Sequence, residues 1–531
     1  MEILVEYFFD YHATKLNGPP FIFYKEDEPD VMWNEPYGLQ MIEGLIYPKY
    51  HRNQQEKLQF YADEVARYAV ELSTMNETFA MNDENLFDAF MEGMYRVTVT
   101  GLTGIDAAVS GNGLPETSAV LEGLSEYLVH YKKNFDEHLP GMYNKTQDLL
   151  KSASRILANS KDFNSFDRLT FIQEYLDPVT KYLGEYKRLF GLEDNPGGPY
   201  YSSISKNNSL FTPGIFTEKV FIDDNTSTPE KVELGRRLFF EKELSSTKDR
   251  SCATCHDPKK GFTDGLKTSL ALDGHSSLPR NAPTLWNSAL QRRYFHDSRS
   301  RNLEDQVMQV LNNSLEMHGS ASEVAEMIIK KPVYKELYEA AYKTKSTEKA
   351  AENICNAIAS YERTLIALNS RFDREMRGEN TLSAEEKNGF NLFMGKAKCG
   401  TCHFMPLFSG AKPPRFYHME SEVIGVPETN AKKSRLDPDS GRYFATGSPV
   451  HLFSFKTPTI RNIDLTAPYM HNGVFRTLEE VVNFYDKGGG TGLRIAPSNQ
   501  TLPPEKLNLT KKEKRDLIAF MRSLTDTVLQ K

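Results

Sequence analysis

The stretches Cys252-Ala-Thr-Cys-His256 and Cys399-Gly-Thr-Cys-His403 decide the fold of this 531-residue chain. Each is a C-x-x-C-H motif, the attachment signature of a c-type haem. In such a motif the two thiols bind the vinyl groups of one haem, and the histidine binds its iron. A redox dithiol or half of a zinc site would not place a histidine after the second cysteine both times. The sequence therefore predicts two covalent haems, held by Cys252, Cys255 and His256 and by Cys399, Cys402 and His403.

The charge divides the chain into two parts. Residues 1–210 carry 32 acidic and 18 basic residues, whereas residues 211–531 carry 40 acidic and 46 basic residues. The net charges of −14 and +6 predict two modules that attract each other. Neither part has the clustered Lys and Arg of a nucleic-acid-binding surface. No apolar run reaches the ~20 residues that a membrane-spanning helix needs.

The sequence predicts a mainly α fold. In residues 1–212 apolar positions recur at every third or fourth residue, as in residues 58–70, which indicates an all-helical domain. A breaker-rich linker follows at residues 195–205. Glycine- and proline-rich loops surround both haem motifs, which is typical of cytochrome c-like domains. We expect two of these domains, over residues 213–375 and 376–531.

Two further features concern the compartment and the remaining cysteine. The chain starts with Met1-Glu-Ile-Leu-Val-Glu6, which lacks the basic and apolar regions of a signal peptide. Haem is normally attached outside the bacterial cytoplasm, so we expect a periplasmic protein whose leader is absent from this sequence. Cys355 lies in an apolar helical stretch and is predicted to be a buried, unreactive thiol.

From about residue 213 to its end, the chain resembles the bacterial di-haem cytochrome c peroxidases and the related MauG-type enzymes. The resemblance rests on short strings in the family's order, among them Gly261-Phe-Thr-Asp-Gly265, Arg280-Asn-Ala-Pro-Thr-Leu285 and Ala467-Pro-Tyr-Met-His-Asn-Gly473. It implies that the first haem domain reduces peroxide and that the second transfers electrons to it.

The resemblance implies a set of residues over the first haem. A glutamate there moves the proton needed to split peroxide, assisted by a glutamine, and the matching positions are Glu316 and Gln306. Without the resemblance both would be ordinary polar residues. In family members a loop histidine often occupies the sixth coordination position of this haem iron and can dissociate from it. His275 lies in a polar loop 19 residues after His256 and is either that ligand or a solvent-exposed side chain.

Two residues are candidates for the sixth ligand of the second haem iron. The classical peroxidases use a methionine at the position that matches Tyr485, whereas MauG-type enzymes use a tyrosine there. A tyrosine ligand is expected to lower the reduction potential relative to methionine. Met470 is the rival ligand, although simple packing is its alternative role.

Two other family features lie between the haems. The family has a tryptophan in a Phe-Trp-Asp-Gly-Arg string, whereas this chain has Phe295-His-Asp-Ser-Arg299, so that His296 takes its place. The family also binds one calcium ion. The matching ligands are the Asn281 side chain and the carbonyl oxygens of Thr466 and Pro468, oxygen ligands of the kind that Ca²⁺ prefers. Asn281 and Pro468 could equally be turn residues.

Three functions remain in view at this point. The main hypothesis is a di-haem peroxidase that reduces hydrogen peroxide to water with electrons from a small cytochrome c or cupredoxin. The first alternative is a MauG-type enzyme that uses peroxide and high-valent haems to oxidise residues of a partner protein. The second is a di-haem electron carrier or sensor, against which Glu316 and Gln306 argue. The resemblance is also compatible with a homodimer.

Overall fold

The computed structural model describes residues 2–18, 23–24, 33–75, 82–192, 204–205, 208–216 and 227–526. Most elements in these ranges are helices, so the predicted mainly α fold is confirmed. Within them, no helix is long and apolar enough to cross a membrane. Most of the predicted linker, residues 195–203, lies outside the described residues.

The N-terminal part is a bundle of helices with one short strand pair. Its α-helices α1–α10 are Glu2–Phe8, Asp10–Asn17, Leu39–Ile46, Gln55–Met75, Asp83–Val99, Gly113–Leu128, Lys132–His138, Met142–Asn159, Arg168–Phe171 and Asp177–Leu189. Strands β1 (Phe23–Tyr24) and β2 (Trp33–Asn34) pair antiparallel. Helix α5 (Asp83–Val99) begins where the Asn82 side chain accepts a hydrogen bond from the backbone N–H of Asn85. Most of its residues are buried, so α5 is central to this bundle.

The first haem domain is built on a close crossing of two helices. Its helices α11–α17 are Pro229–Phe239, Cys252–Cys255, Leu303–Asn312, Ala321–Lys330, Pro332–Tyr342, Ala350–Glu362 and Arg371–Met376. A Cβ atom on Gly235 of α11 would lie 1.8 Å from the carbonyl oxygen of Ala357 of α16. Only glycine permits this approach. Cys355, on the same helix α16, is buried as predicted.

The second haem domain repeats this arrangement. Its helices α18–α22 are Ala384–Met394, Tyr443–Thr446, Leu478–Asp486, Gly490–Leu493 and Lys511–Ser523. A Cβ atom on Gly389 of α18 would lie 2.1 Å from the carbonyl oxygen of Asp516 of α22. Strands β3 (Ser421–Glu422) and β4 (Phe455–Lys456) pair antiparallel. In each haem domain, therefore, the helix before the C-x-x-C-H motif crosses a helix from the C-terminal part of the domain at a glycine.

The N-terminal bundle and the second haem domain share one hydrophobic core. Buried residues of the bundle, such as Leu102 and Leu169, belong to the same apolar cluster as Phe393 and Phe404 beside the second motif. The opposite charges predicted for the two parts meet in an ion pair. Arg415 Nε lies 3.1 Å from Glu92 Oε2, and both side chains are largely buried. The domain boundaries at 212 and 375 stay predictions, and helix α17 spans the second of them.

Candidate functional site

Both C-x-x-C-H motifs line a single cavity of about 1410 Å³. Pockets for one small ligand usually measure about 300–1,000 Å³, so this cavity has room for more than one such group. Apolar side chains provide most of its wall, as a haem requires. The cavity extends from Cys252 and His256 in the first haem domain to Cys399 and His403 in the second. The residues present therefore fit two covalently attached haems.

The first motif is a single helical turn, Cys252–Cys255, capped at its N-terminus. The side chains of Ser251 and Thr254 each accept a hydrogen bond from the other residue's backbone N–H. His256 follows, and its Nδ1 donates to the carbonyl of Phe262 at 3.1 Å. Nε2 is thereby the nitrogen that can bind a metal. Burial lowers the pKa of His256, so its ring is held in the neutral form that binds iron.

The second motif has the same chemistry in a tighter turn. The 3-10 turn Cys399–Thr401 follows Lys398, whose backbone is left-handed with φ 54°. His403 Nδ1 donates to the carbonyls of Pro458, at 3.1 Å, and Phe408, at 3.3 Å. Burial lowers the pKa of His403 to about 4. Both proximal histidines therefore have Nδ1 engaged and Nε2 available.

Glu316 and Gln306, the residues predicted to act on peroxide, both line the cavity. Arg250, two residues before the first motif, donates to the Glu316 carbonyl with Nη1 and oxygen 3.5 Å apart, which places Glu316 beside that motif. Asn313 Nδ2 donates to Glu316 Oε1 at 2.8 Å. Burial raises the pKa of Glu316, although the charge of Arg299 and the Asn313 hydrogen bond oppose the shift. A carboxyl group of this kind can accept and return a proton.

His275 lies away from the cavity. Its side chain is exposed, and its backbone N–H donates to Asp273 Oδ1 at 2.8 Å within a polar turn. His275 is not among the residues that line the cavity. A role as removable ligand stays a prediction, and it requires the loop to move.

Tyr485 and Met470 are brought together by the fold. Both line the cavity and both pack against the apolar cluster that contains Val481 and Phe484. Burial raises the pKa of the Tyr485 hydroxyl well above its ordinary value. The structure places both candidate ligands in the wall of the shared cavity, and their role at the second haem, like the choice between them, stays a prediction.

His296 connects the two haem domains. Its Nε2 donates to the carbonyl of Asn281 at 3.0 Å, and its own carbonyl accepts a hydrogen bond of 2.8 Å from the backbone N–H of Lys456. Burial lowers the pKa of His296 to about 3, so its ring is neutral. It lies in the wall of the shared cavity, and its predicted position between the haems stays a prediction.

The predicted calcium ligands Asn281, Thr466 and Pro468 all line the same cavity. Asn281 Nδ2 donates to the carbonyl of Leu266 at 2.9 Å, so the amide oxygen is the atom that can bind a cation. Among the described residues, no group of three or more His, Cys, Asp or Glu side chains could hold a metal ion. A site built from amide and carbonyl oxygens is of a different kind, and the calcium site stays a prediction.

Sequence reasoning missed a buried acid in the cavity wall. Glu362 is 4% exposed, and its Oε2 has no hydrogen-bond partner. Burial raises its pKa to about 8. Trp286 also lines the cavity, and its Nε1 has no hydrogen-bond partner either. The available signal was the glutamate that ends α16, after a stretch, residues 354–360, in which only Asn356 and Ser360 are polar.

Comparisons with known proteins agree with this geometry. The sequence model of the di-haem cytochrome c peroxidase family matches residues 229–381. The cytochrome-c peroxidase IdrP1 of Pseudomonas sp. (strain SCT) is 35% identical over 323 residues, which cover 57% of this chain and 82% of that protein. The chain belongs to the di-haem cytochrome c peroxidase and MauG family.

Other members of the family are similarly related. The methylamine utilization protein MauG of Methylorubrum extorquens is 34% identical over 301 residues, covering 56% of this chain and 79% of that protein. The crystal structure of a MauG-like protein associated with microbial copper homeostasis aligns with a TM-score of 0.52 and 32% identity, covering 58% of this chain and 92% of that one. The predicted recognition is thus confirmed: the protein is a di-haem, cytochrome-c peroxidase-like oxidoreductase.

Proposed function

We propose that this family member reduces hydrogen peroxide at its first haem, with electrons that enter through the second haem from a small cytochrome c or cupredoxin. The observation that carries the proposal is Glu316, a half-buried carboxyl group of raised pKa in the wall of the cavity that the first motif lines. A bound haem supplies an iron at which peroxide can be reduced. An electron carrier would have no use for an acid at that position.

The side chains around Glu316 each have a part in this proposal. Glu316 accepts a proton from one peroxide oxygen and returns it to the oxygen that leaves as water. Asn313 holds the carboxyl group through its hydrogen bond to Oε1. Gln306, on helix α13, is proposed to orient peroxide in the same wall. His275 is proposed as the removable ligand that closes this haem at rest.

A second candidate function is MauG-type oxidation of residues in a partner protein. Tyr485 in the wall of the second haem site favours it, since MauG-type enzymes have a tyrosine at that position. His296 weakens it, because an imidazole is harder to oxidise than the indole it replaces. Under either function the second haem is proposed to be held by His403 and Tyr485.

The finer points of the proposal concern the ion, the compartment and the assembly. One Ca²⁺ is proposed at Asn281, Thr466 and Pro468, where it would fix the two haem domains relative to each other. Its support is that all three residues line the cavity shared by those domains. A periplasmic location follows from covalent haem attachment, and a homodimer is proposed from the family alone.

The test uses full-length protein carrying both haems, pre-reduced by one electron and mixed with peroxide and a reduced small cytochrome c. We expect the cytochrome to be oxidised in proportion to the peroxide consumed, two molecules for each peroxide. Peroxide consumption without cytochrome oxidation would favour the MauG-type function. If peroxide is not consumed at all, the protein is an electron carrier or sensor and the proposal fails.

A further inference from the structure

The N-terminal helical bundle contacts the second haem-attachment motif directly. Gly400, the residue after Cys399 in that motif, is buried. A Cβ atom on Gly400 would lie 3.1 Å from Cγ2 of Thr103. Thr103 is 3% exposed and ends the 3-10 turn Gly101–Thr103 of the bundle. A methyl group from the acidic part of the chain therefore covers the motif.

A buried arginine stabilises the turn Gly101–Thr103 through hydrogen bonds to backbone carbonyls. Arg168 Nε donates to the carbonyl of Leu102 at 2.8 Å, and Nη2 donates to the carbonyl of Phe163 at 2.7 Å. The same guanidinium lies against Gly395, where a Cβ atom would be 2.7 Å from Nη1. Arg168 is fully buried. One side chain thus connects the turn to the loop that leads into the motif.

Hydrogen bonds beside Arg168 keep the bundle against the second haem domain. The backbone N–H of Leu169 donates to Asn391 Oδ1 at 3.0 Å, and Asn391 Nδ2 donates to Asp167 Oδ1 at 2.9 Å. Gln173 Nε2 also donates to the carbonyl of Glu375, at 2.7 Å, in helix α17 at the predicted boundary between the two haem domains. Together with the shared apolar core, these bonds make the contact part of the fold.

The first motif is arranged differently. Thr254, between its two cysteines, is exposed to solvent. Its neighbour Ala253 packs on Phe239, Phe262 and other residues of the first haem domain itself. The helical bundle therefore makes the surroundings of the two haem-attachment sites unequal.

We propose that the turn Gly101–Thr103 forms a wall behind the second haem-attachment motif, outside the cavity itself, and excludes water from the attachment edge of that haem. Thr103 and Arg168 are then positioning residues for the second haem. Excluding water favours the less charged ferrous iron, because solvent access and dielectric set the reduction potential of a haem. The wall thus raises the potential of the second haem alone. The proposal rests on a haem at the second motif and is independent of the peroxidase reaction.

The test compares reduction potentials of both haems by spectroelectrochemical titration of the full-length protein with both haems bound. Thr103→Asp puts a carboxylate and its water against Gly400, and it is expected to lower the potential of the second haem while leaving the first unchanged. Thr146→Asp is the matched control, because Thr146 is an equally buried threonine whose hydroxyl bonds within helix α8. This control is expected to shift neither potential.

A milder pair of variants keeps the test decisive if Thr103→Asp fails to fold. Thr103→Ser retains the hydroxyl bond to the Thr100 carbonyl and removes only the methyl group that covers Gly400. Thr103→Val retains a methyl group and removes the hydroxyl. We expect a lower second-haem potential for the serine variant and no change for the valine variant.

Several results would overturn the proposal. They are an unchanged second-haem potential in Thr103→Ser, equal shifts of both haems in Thr103→Asp, or the same shift in Thr146→Asp. A wild-type protein with no haem at the second motif would also overturn it. If a protein with two haems does not turn over peroxide, the proposed function is wrong, but the comparison of reduction potentials still tests the wall.

Discussion

Arg461 and Asp373 form a buried ion pair with two parallel hydrogen bonds, Nη1 to Oδ2 at 2.9 Å and Nη2 to Oδ1 at 2.7 Å. Arg461 Nε also donates to the carbonyl of Pro406 at 2.7 Å. Three residues before Arg461, the carbonyl of Pro458 accepts the hydrogen bond of His403 Nδ1. The pair therefore anchors the segment that orients the proximal histidine of the second haem.

Arg461→Met is expected to cost about 3–5 kcal/mol of unfolding free energy, because it leaves the Asp373 carboxylate buried without a cation. Burial favours the neutral acid, yet Arg461 outweighs it and holds the pKa of Asp373 below its ordinary value. Urea unfolding measures the loss. Arg522→Met is the matched control, since its pair with Asp464 is half exposed and is expected to contribute at most about 1 kcal/mol. Equal losses in the two variants would contradict the anchoring role.

Glu316→Gln is expected to lower the peroxide turnover about 10²–10⁴-fold, because an amide cannot accept and return a proton. Stopped-flow mixing of the half-reduced protein with peroxide measures the rate. Glu323→Gln, at an exposed position of helix α14, is the control and should keep the full rate. If Glu316→Gln turns over peroxide as fast as the wild type, another group moves the proton.

The pKa of Glu316 also predicts how the peroxide reaction depends on pH. Glu316 must be ionised to accept the peroxide proton, and burial raises its pKa above the ordinary value. The rate constant kcat/KM is therefore expected to fall as the pH decreases through this raised pKa. The pH profile of kcat/KM for peroxide, recorded for the wild type and for Glu316→Gln, measures this fall at low pH. If kcat/KM of the wild type falls at the ordinary pKa of glutamate, the Glu316 carboxyl is not the titrating group.

Tyr485→Phe is expected to change the low-spin electron paramagnetic resonance and optical spectra of the second haem, because it removes the proposed oxygen ligand. Met470→Leu lies at the same cavity wall and is expected to leave these spectra unchanged. The two variants exchange roles if the thioether is the ligand, in which case the low-spin signal would change only in Met470→Leu.

Glu362→Gln is expected to stabilise the protein at pH 8. Burial raises the pKa of Glu362 to about 8 from the ordinary glutamate value of 4.5, so between these values the folded state binds a proton that the unfolded state has lost. Wild-type stability must then fall as the pH rises through this range. Thermal unfolding at several pH values measures the difference between variant and wild type, which should vanish near pH 4. If the stabilities of the variant and the wild type change in parallel with pH, Glu362 is ionised in the folded protein.

The local sequence was sufficient for features that depend on neighbouring residues. The C-x-x-C-H motifs were predictable because the two thiols and the histidine must be close in the chain to reach one haem. Helices were predictable from the spacing of apolar residues. The predictions for Glu316 and Gln306 needed the family resemblance, because nothing in the composition of a turn shows that its glutamate lies in the wall of this cavity.

Other features could not be predicted because they join distant segments. Tyr485 and Met470 lie in different segments of the chain, and only their packing on one apolar cluster brings both to the wall of the shared cavity. Glu362 looked like the polar end of helix α16 until the fold buried its carboxyl group without a partner. The exposed position of His275 likewise depends on how its loop lies on the domain.

The sequence by itself determined that the protein carries two covalent haems and is mainly helical, because covalent attachment and helix periodicity act over a few residues. Only the tertiary structure decided that both motifs share one cavity and that Thr103 of the acidic bundle covers Gly400 of the second motif. Such contacts depend on the packing of surfaces formed by remote parts of the chain, and no short pattern specifies them.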